Sequence, residues 1–428
     1  MNESQIKHQF LKEAKIGNGR AYSIFSANRN VDFTEQIINI SVHNYGFDPQ
    51  CEGDRVDYAL QFIRELEETQ RQKVFVAIKK QLLEIKIDWD WDVDQLFKIA
   101  ALLSKEYDSE FGEILRKRFD TCSRDELWQF PKDSILMLDG FDGMVRLAHR
   151  IGKILLSGDE WYEDDSNLCS VPGMKLEEVK ERLTEFSKTD KDIKAYLDEV
   201  NKDEARKPSE TWERYKTHAF EVAKEAIANK KMVPRRACMN LSHEEVCYFA
   251  DEFKKARTQK EKLLYLDIFS VKHSRYPYSE QDLIDEFSVR KNSWFNERLV
   301  DSLDYFSSDK IRAIAQKALD SDRYSYFYLQ LLKNNYREGD AVKIVRKLKR
   351  TKDEVKFHYA VGTLQCIYEK NITKECLEPL LLAYKTRCGH CRHGIVELME
   401  KAGVLSDEIR TEFLHDAAYL YDKREGIE

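Results

Sequence analysis

Residues 308–320 read SDKIRAIAQKALD. Ile311, Ile314, Ala315, Ala318 and Leu319 fall at i, i+3, i+4, i+7 and i+8, which puts all five on one stripe of an α-helix. Ser308 stands directly ahead, with a side-chain oxygen suited to the amides that a first helical turn leaves unbonded. Such a helix has one apolar face and must bury it against a neighbour.

The neighbours carry the same signature. Tyr324, Phe327, Tyr328, Leu331 and Leu332 repeat the template, so a second helix is expected there. Phe295, Leu299, Leu303 and Phe306 mark a helix before them; Val342, Val345 and Leu348, then 355–367, 376–384, 395–399 and 409–420, mark helices after. Asp340, Thr373 and Ser406 supply further caps. Grouped in pairs beginning near Ser293, Asp322, Asp353 and Cys391, these helices recur every ~30 to 40 residues, close to the period of helical-repeat arrays. In pair length and aliphatic spacing the chain resembles the HEAT-like α-solenoid proteins. That resemblance implies an all-α fold, an α-solenoid of stacked antiparallel helix pairs. A TPR-like array or an irregular helical bundle shares much of the pattern.

Working back, Ser242 and Glu245 form a capping box ahead of Val246, Phe249, Ala250 and Phe253, and Leu263 to Phe269 continue the pair. Residues 176–229 differ. Leu176, Val179, Leu183 and Phe186, then Ile193, Tyr196, Leu197 and Val200, are thin apolar stripes between dense Lys and Glu, which suits an inserted arm of exposed helices. Periodicity is lost at 157–173, SGDEWYEDDSNLCSVPG, and the chain is divided there. Three regions are expected: an N-terminal helical region at 1–157, an acidic loop with charged helices at 158–241, and a repeat array at 242–428.

Only 7 prolines and 16 glycines against 34% charged residues suit long helices with short turns. A net charge of −7 gives no global pull toward nucleic acid or anionic membrane. The start, MNESQIKHQFLKEAKIG, lacks the apolar centre of a secretory signal, and no apolar run approaches a membrane span. A cytoplasmic protein is therefore expected, with its nine cysteines reduced.

Three stretches carry candidate chemistry. RCGHCRH, 387–393, contains the CGHC of disulfide isomerases, yet helices precede it where a strand is required and Arg387 stands where an aromatic is usual. Cys388, His390, Cys391 and His393 remain a candidate metal set, with Cys366 and Cys376 nearby, although structural zinc sites normally use two ligand pairs. The alternative is a helix start in which Cys391 is a small buried residue. IDWDWDVDQLF, 87–97, alternates acid and tryptophan but lacks the glycine and late acid of a calcium loop. Trp with Asp on a helical scaffold resembles the HEAT-like alkylpurine DNA glycosylases, which use an aspartate and aromatics in a basic cleft. The plainer expectation is Trp89 or Trp91 packed inward, with Asp92 or Asp94 capping the helix through Phe97. AVKIVRKLKRTK, 341–352, is expected to turn Val342, Val345 and Leu348 inward and Lys343, Arg346, Lys347, Lys349, Arg350 and Lys352 outward, a row suited to an acidic partner or a nucleic-acid backbone. KKMVPRR, 230–236, is a second basic cluster, and Arg116, Lys117 and Arg118 are possible contributors to such a surface.

P-loop, GxGxxG, HExxH and GxSxG motifs are absent. The expected function is a non-enzymatic helical-repeat scaffold or adaptor for a protein partner, without a cofactor. A nucleic-acid-binding or DNA-processing protein on the same scaffold is the alternative.

Overall fold

The computed structural model describes residues 1–204, 210–287, 293–321 and 326–426. They form α-helices and three short 3₁₀ helices, with no strand among the described residues. No helix among them is long and apolar enough to cross a membrane. The chain divides into two compact units, Met1–Lys207 with Cys388–His390 and Asp407–Glu428, and Pro208–Arg387 with Cys391–Ser406.

In the first unit, helices pack mainly on near neighbours in sequence: Glu3–Lys15 on Arg20–Ala27, Glu68–Glu84 on Trp91–Glu106, and Trp91–Glu106 on Glu110–Thr121 and Lys132–Asp139. The apolar stripes are the cause. Phe10 lies 4.7 Å from Phe33 and 5.2 Å from Phe62, centroid to centroid, inside a continuous core. Each such ring, fully buried, contributes about 1.5–3 kcal/mol. The core runs through the 157–173 loop without a break, because Trp161, Leu168 and Val171 belong to it. That stretch is therefore a packed connection rather than a linker.

The first part of the charged segment expected to project as an arm, helices Leu176–Ser187 and Lys191–Glu204, instead packs within the first unit. Val179, Leu183, Ile193, Tyr196, Leu197 and Val200 are all buried, and Lys191–Glu204 lies along Phe141–Leu156. A thin stripe is enough to cover one face, and Gly152 permits the approach: a Cβ there would stand 1.8 Å from the Asp192 carbonyl oxygen.

The C-terminal helices expected to end the repeat array pack in the first unit. Ala417 N–H donates to the Gly17 carbonyl at 2.9 Å, and Arg424 pairs with Asp54 at 2.7 Å and Asp57 at 2.9 Å. Gly53 makes room for them, since its φ is +73° and a Cβ would meet the Tyr421 ring at 2.4 Å.

In the second unit, Trp294–Leu303, Asp309–Asp320 and Glu354–Lys370 pack around Tyr326–Leu332. Ser308 caps as expected, accepting the Ile311 N–H at 3.3 Å. The capping box of Ser242 and Glu245 is also present. Asp340 does not cap by its side chain; it binds Arg312 at 2.7 Å and the Arg337 N–H at 2.9 Å. Tyr326–Leu332 is a 3₁₀ helix where an α-helix was expected; Tyr324 and Asp322 lie outside the described residues. Its tighter turn buries Tyr328, Leu329, Leu331 and Leu332 while Tyr326 stacks on Tyr359 at 5.7 Å.

Candidate functional site

The WDWD stretch lies beside a cavity of about 600 Å³ in the first unit. Ile87 and Val93 are buried and pin the segment at both ends. Between them the Asp90 N–H donates to the Asp88 carbonyl at 2.8 Å, and the Asp90 side chain caps the helix Trp91–Glu106 by accepting the Asp92 N–H at 2.9 Å. The bend at Asp88 and Trp89 breaks the period-two pattern that would set the tryptophans beside Ile87 and Val93, and both turn outward. Trp89 is 79% exposed and Trp91 44%, so neither is the inward anchor that was expected. The cap is Asp90 rather than Asp92 or Asp94. Asp92 is held by His43 Nδ1 at 2.7 Å and the Asn44 N–H at 2.6 Å, and Asp94 by Lys98 at 3.0 Å.

Two further segments complete the walls. Trp128 and Phe130 come from the helix end and turn before Lys132–Asp139, and Tyr162 and Glu163 from the 157–173 loop. Trp128 is 43% and Tyr162 44% exposed, so four large aromatic side chains reach solvent around one cavity. Trp161 lies behind them, perpendicular to Trp128 at 5.0 Å. Sequence reading missed Trp128, Tyr162, Glu163 and Lys132, because WYED fell in the 157–173 boundary loop and LWQFPK carries no motif of its own. The recurrence of Trp beside Asp or Glu at 88–92 and 160–163 was the available signal.

Six carboxylates, those of Asp88, Asp90, Asp94, Asp133, Glu163 and Asp164, line the cavity with one lysine, Lys132. Glu163 is buried; Trp161 Nε1–H donates to it at 2.8 Å and the Asn167 amide donates to its other oxygen. Burial pushes its carboxyl above the usual range despite those bonds and the charge of Lys132. Burial likewise pushes the Lys132 ammonium down, with Glu163 opposing. Desolvation thus outweighs the attraction within this pair. Its amine lies over the Trp161 ring at 5.8 Å and donates to the Trp128 carbonyl at 3.4 Å. Burial also raises Asp94, with Lys98 opposing. Lys98 itself is raised: burial works downward, and Asp94, Asp54 and Asp133 prevail.

The basic helix Asp340–Arg350 differs from expectation in two side chains. Val342 is 61% exposed and Lys347 is buried, its amine donating to the Ser321 carbonyl at 2.9 Å. Ile344, with Val345 and Leu348, completes the buried face. Lys343 pairs with Asp320 at 2.9 Å and Lys349 with Glu378 at 3.0 Å, while Arg346, Arg350 and Lys352 are exposed. In the first unit, Arg116 is bidentate to Asp139, and Arg118 donates to the Leu83 and Ile85 carbonyls at 2.7 Å each. Arg236 of the second basic cluster lies over Trp212.

RCGHCRH is a helix start, with Gly389–Lys401 helical. Cys388 and Cys391 are buried and His390 is exposed. Gly389 N–H donates to Glu52 at 3.1 Å within the first unit. In the second, Cys391 Sγ lies 3.6 Å from His358 Nδ1, and His393 lies 3.6 Å from Glu397. Arg392 is fully buried, donating to the carbonyls of Thr386 at 2.9 Å and Arg387 at 3.1 Å. Cys366 is exposed and Cys376 buried. A donor set that sequence reading missed is His149, Asp190 and Asp192, with donor atoms within 4.8 Å of one another. His149 Nε2 stands 3.2 Å from Asp192 and 3.7 Å from Asp190, a geometry that serves an ion pair and offers three ligands of the type divalent first-row ions take.

Comparison of the chain with family models, with curated proteins and with solved structures finds no match.

Proposed function

We propose that this chain is a non-enzymatic helical scaffold or adaptor that binds a protein, and that its helix pairs form a HEAT-like solenoid. The observation that carries the binding reading is the outward turn of Trp89, Trp91, Trp128 and Tyr162 around one cavity. Large aromatic side chains are enriched where proteins meet, because they bring apolar area at a small cost in rotamer freedom. Near-neighbour packing along the first unit supports the solenoid reading, since repeat arrays bury each pair against the next.

Nucleic-acid binding is the second reading, favoured by Arg346, Arg350 and Lys352 on the exposed face of the 341–352 segment. The ion pairs of Lys343 and Lys349 reduce the charge that row offers. Affinity capture from the native cell, with protein and nucleic acid identified together, separates the two. Recovery of a stoichiometric protein partner is expected. Recovery of nucleic acid alone, with binding that falls steeply as salt rises, would replace the first reading by the second.

A further inference from the structure

We propose that the cavity beside Trp89 and Trp91 receives a cationic side chain, an arginine or lysine presented by a basic segment of the protein partner. This deepens the protein-binding reading and rests on it.

Charge is the first ground. Carboxylates outnumber amines six to one in the lining, and six to two with Lys98 counted behind Asp94 at 3.0 Å and Asp133 at 3.9 Å, so an anionic occupant, phosphate backbone included, meets repulsion and a cation meets attraction. Lys132, whose amine lies over the Trp161 ring and near the Trp128 carbonyl, supplies one positive charge and leaves the lining net acidic. The aromatic walls are the second ground. The face of an indole draws a cation through its quadrupole, most strongly where water is excluded, and Trp is the best of the aromatic residues at this. Asp88 and Asp90 line the same cavity as Trp89 and Trp91, so a guanidinium or ammonium held there has both carboxylates and indoles in its surroundings. Size is the third: a cavity of about 600 Å³ holds a long side chain together with adjoining backbone.

Burial separates the residues that can be tested cleanly from those that cannot. Trp89, at 79% exposure, can be replaced without loss of core packing. Glu163 is buried and bonded to Trp161 and Asn167, so its removal would disturb the wall.

The test uses the full chain, intrinsic tryptophan fluorescence and titration calorimetry at low salt, with three probes. These are acetyl-Gly-Arg-Gly-Lys-Gly-Arg-Gly-amide, the same peptide with glutamate at the three charged positions, and tetramethylammonium chloride. Saturable binding of the basic peptide alone is expected, weakened by salt because most of the carboxylates are partly exposed. Trp89→Ala and Asp88→Asn should each weaken it by about fivefold, the scale of one cation–π or charge contact. No saturable response, or wild-type affinity in both variants, would overturn the assignment. Tighter binding of tetramethylammonium than of the peptide would overturn the peptide source and leave a small ammonium ligand. The two levels are separable: one partner captured equally by wild type and Trp89→Ala, without peptide binding, removes the cavity assignment and leaves the protein-binding reading standing.

Discussion

Asp54→Asn should loosen the C-terminal helix from the first unit. Asp54 is buried and accepts from Arg424 at 2.7 Å, with Lys98 at 3.3 Å and the Val56 N–H at 3.2 Å. Removing one member of a buried ion pair costs ~3–5 kcal/mol, because the partner is left charged and poorly solvated. Here the loss is smaller. Arg424 keeps Asp57 at 2.9 Å and a side chain 21% exposed, Lys98 keeps Asp94 at 3.0 Å, and the new amide oxygen still accepts one bond. About 2–3 kcal/mol is therefore expected. At 1.4 kcal/mol per decade, amides of Ala417–Glu425 should exchange about 30- to 150-fold faster in native-state hydrogen exchange. The sign with pH follows from Asp54 itself. Burial works to raise its carboxyl, but the hydrogen bond from Arg424 and the charge of Lys98 prevail and hold it below the usual range. Its contribution is therefore present above the ordinary carboxyl value near pH ~4 and is lost as pH falls through the lower folded-state value. The gap between wild type and variant should be flat between about pH 5 and 8 and close in acid. Exchange within threefold of wild type at neutral pH would refute this account of the clamp.

Gly152→Ala should cost ~3 kcal/mol or more, because its Cβ would lie 1.8 Å from the Asp192 carbonyl and neither backbone can yield without parting the helices. Limited proteolysis after Lys188 and Lys191 reads the outcome, and cleavage no faster than in wild type would refute close packing of this segment. Thiol labelling at pH 8 should modify exposed Cys169 and Cys366 while sparing Cys238, whose thiol burial pushes up to about 12. Cys388 and Cys391 should be spared with it, being 2% and 6% exposed, whereas a thiol–disulfide exchanger must present its first cysteine to a substrate. Peptide mapping that finds the CGHC thiols labelled as fast as Cys169 would reopen the redox reading.

Helices were the readable part because their evidence is local. The 308–320 stripe and the Ser242–Glu245 box each fix one face or one end within a dozen residues, and both occur as expected. What was not readable depends on distance along the chain. Nothing within 409–420 signals that these residues leave their neighbours to pack beside Gly17 and Gly53, since the glycines that admit them stand more than 350 residues earlier. The arm was misjudged for a related reason: the charge around Val179 and Tyr196 describes the solvent face and says nothing of how well the thin stripe is covered.

The cavity combines both difficulties. Local pattern correctly makes Asp88 to Asp94 a helix entry, and hydrophobicity alone then favours an inward tryptophan. Yet Ile87 and Val93 already fill the inward positions, and the bend at Asp88 and Trp89 that leads into the helix start turns Trp89 and Trp91 outward. Their meaning changes only when Trp128 and Tyr162 arrive from segments roughly 40 and 70 residues away. One exposed tryptophan is common; four exposed aromatic rings around six carboxylates require folding to assemble them, and this convergence gives the surface its electrostatic preference.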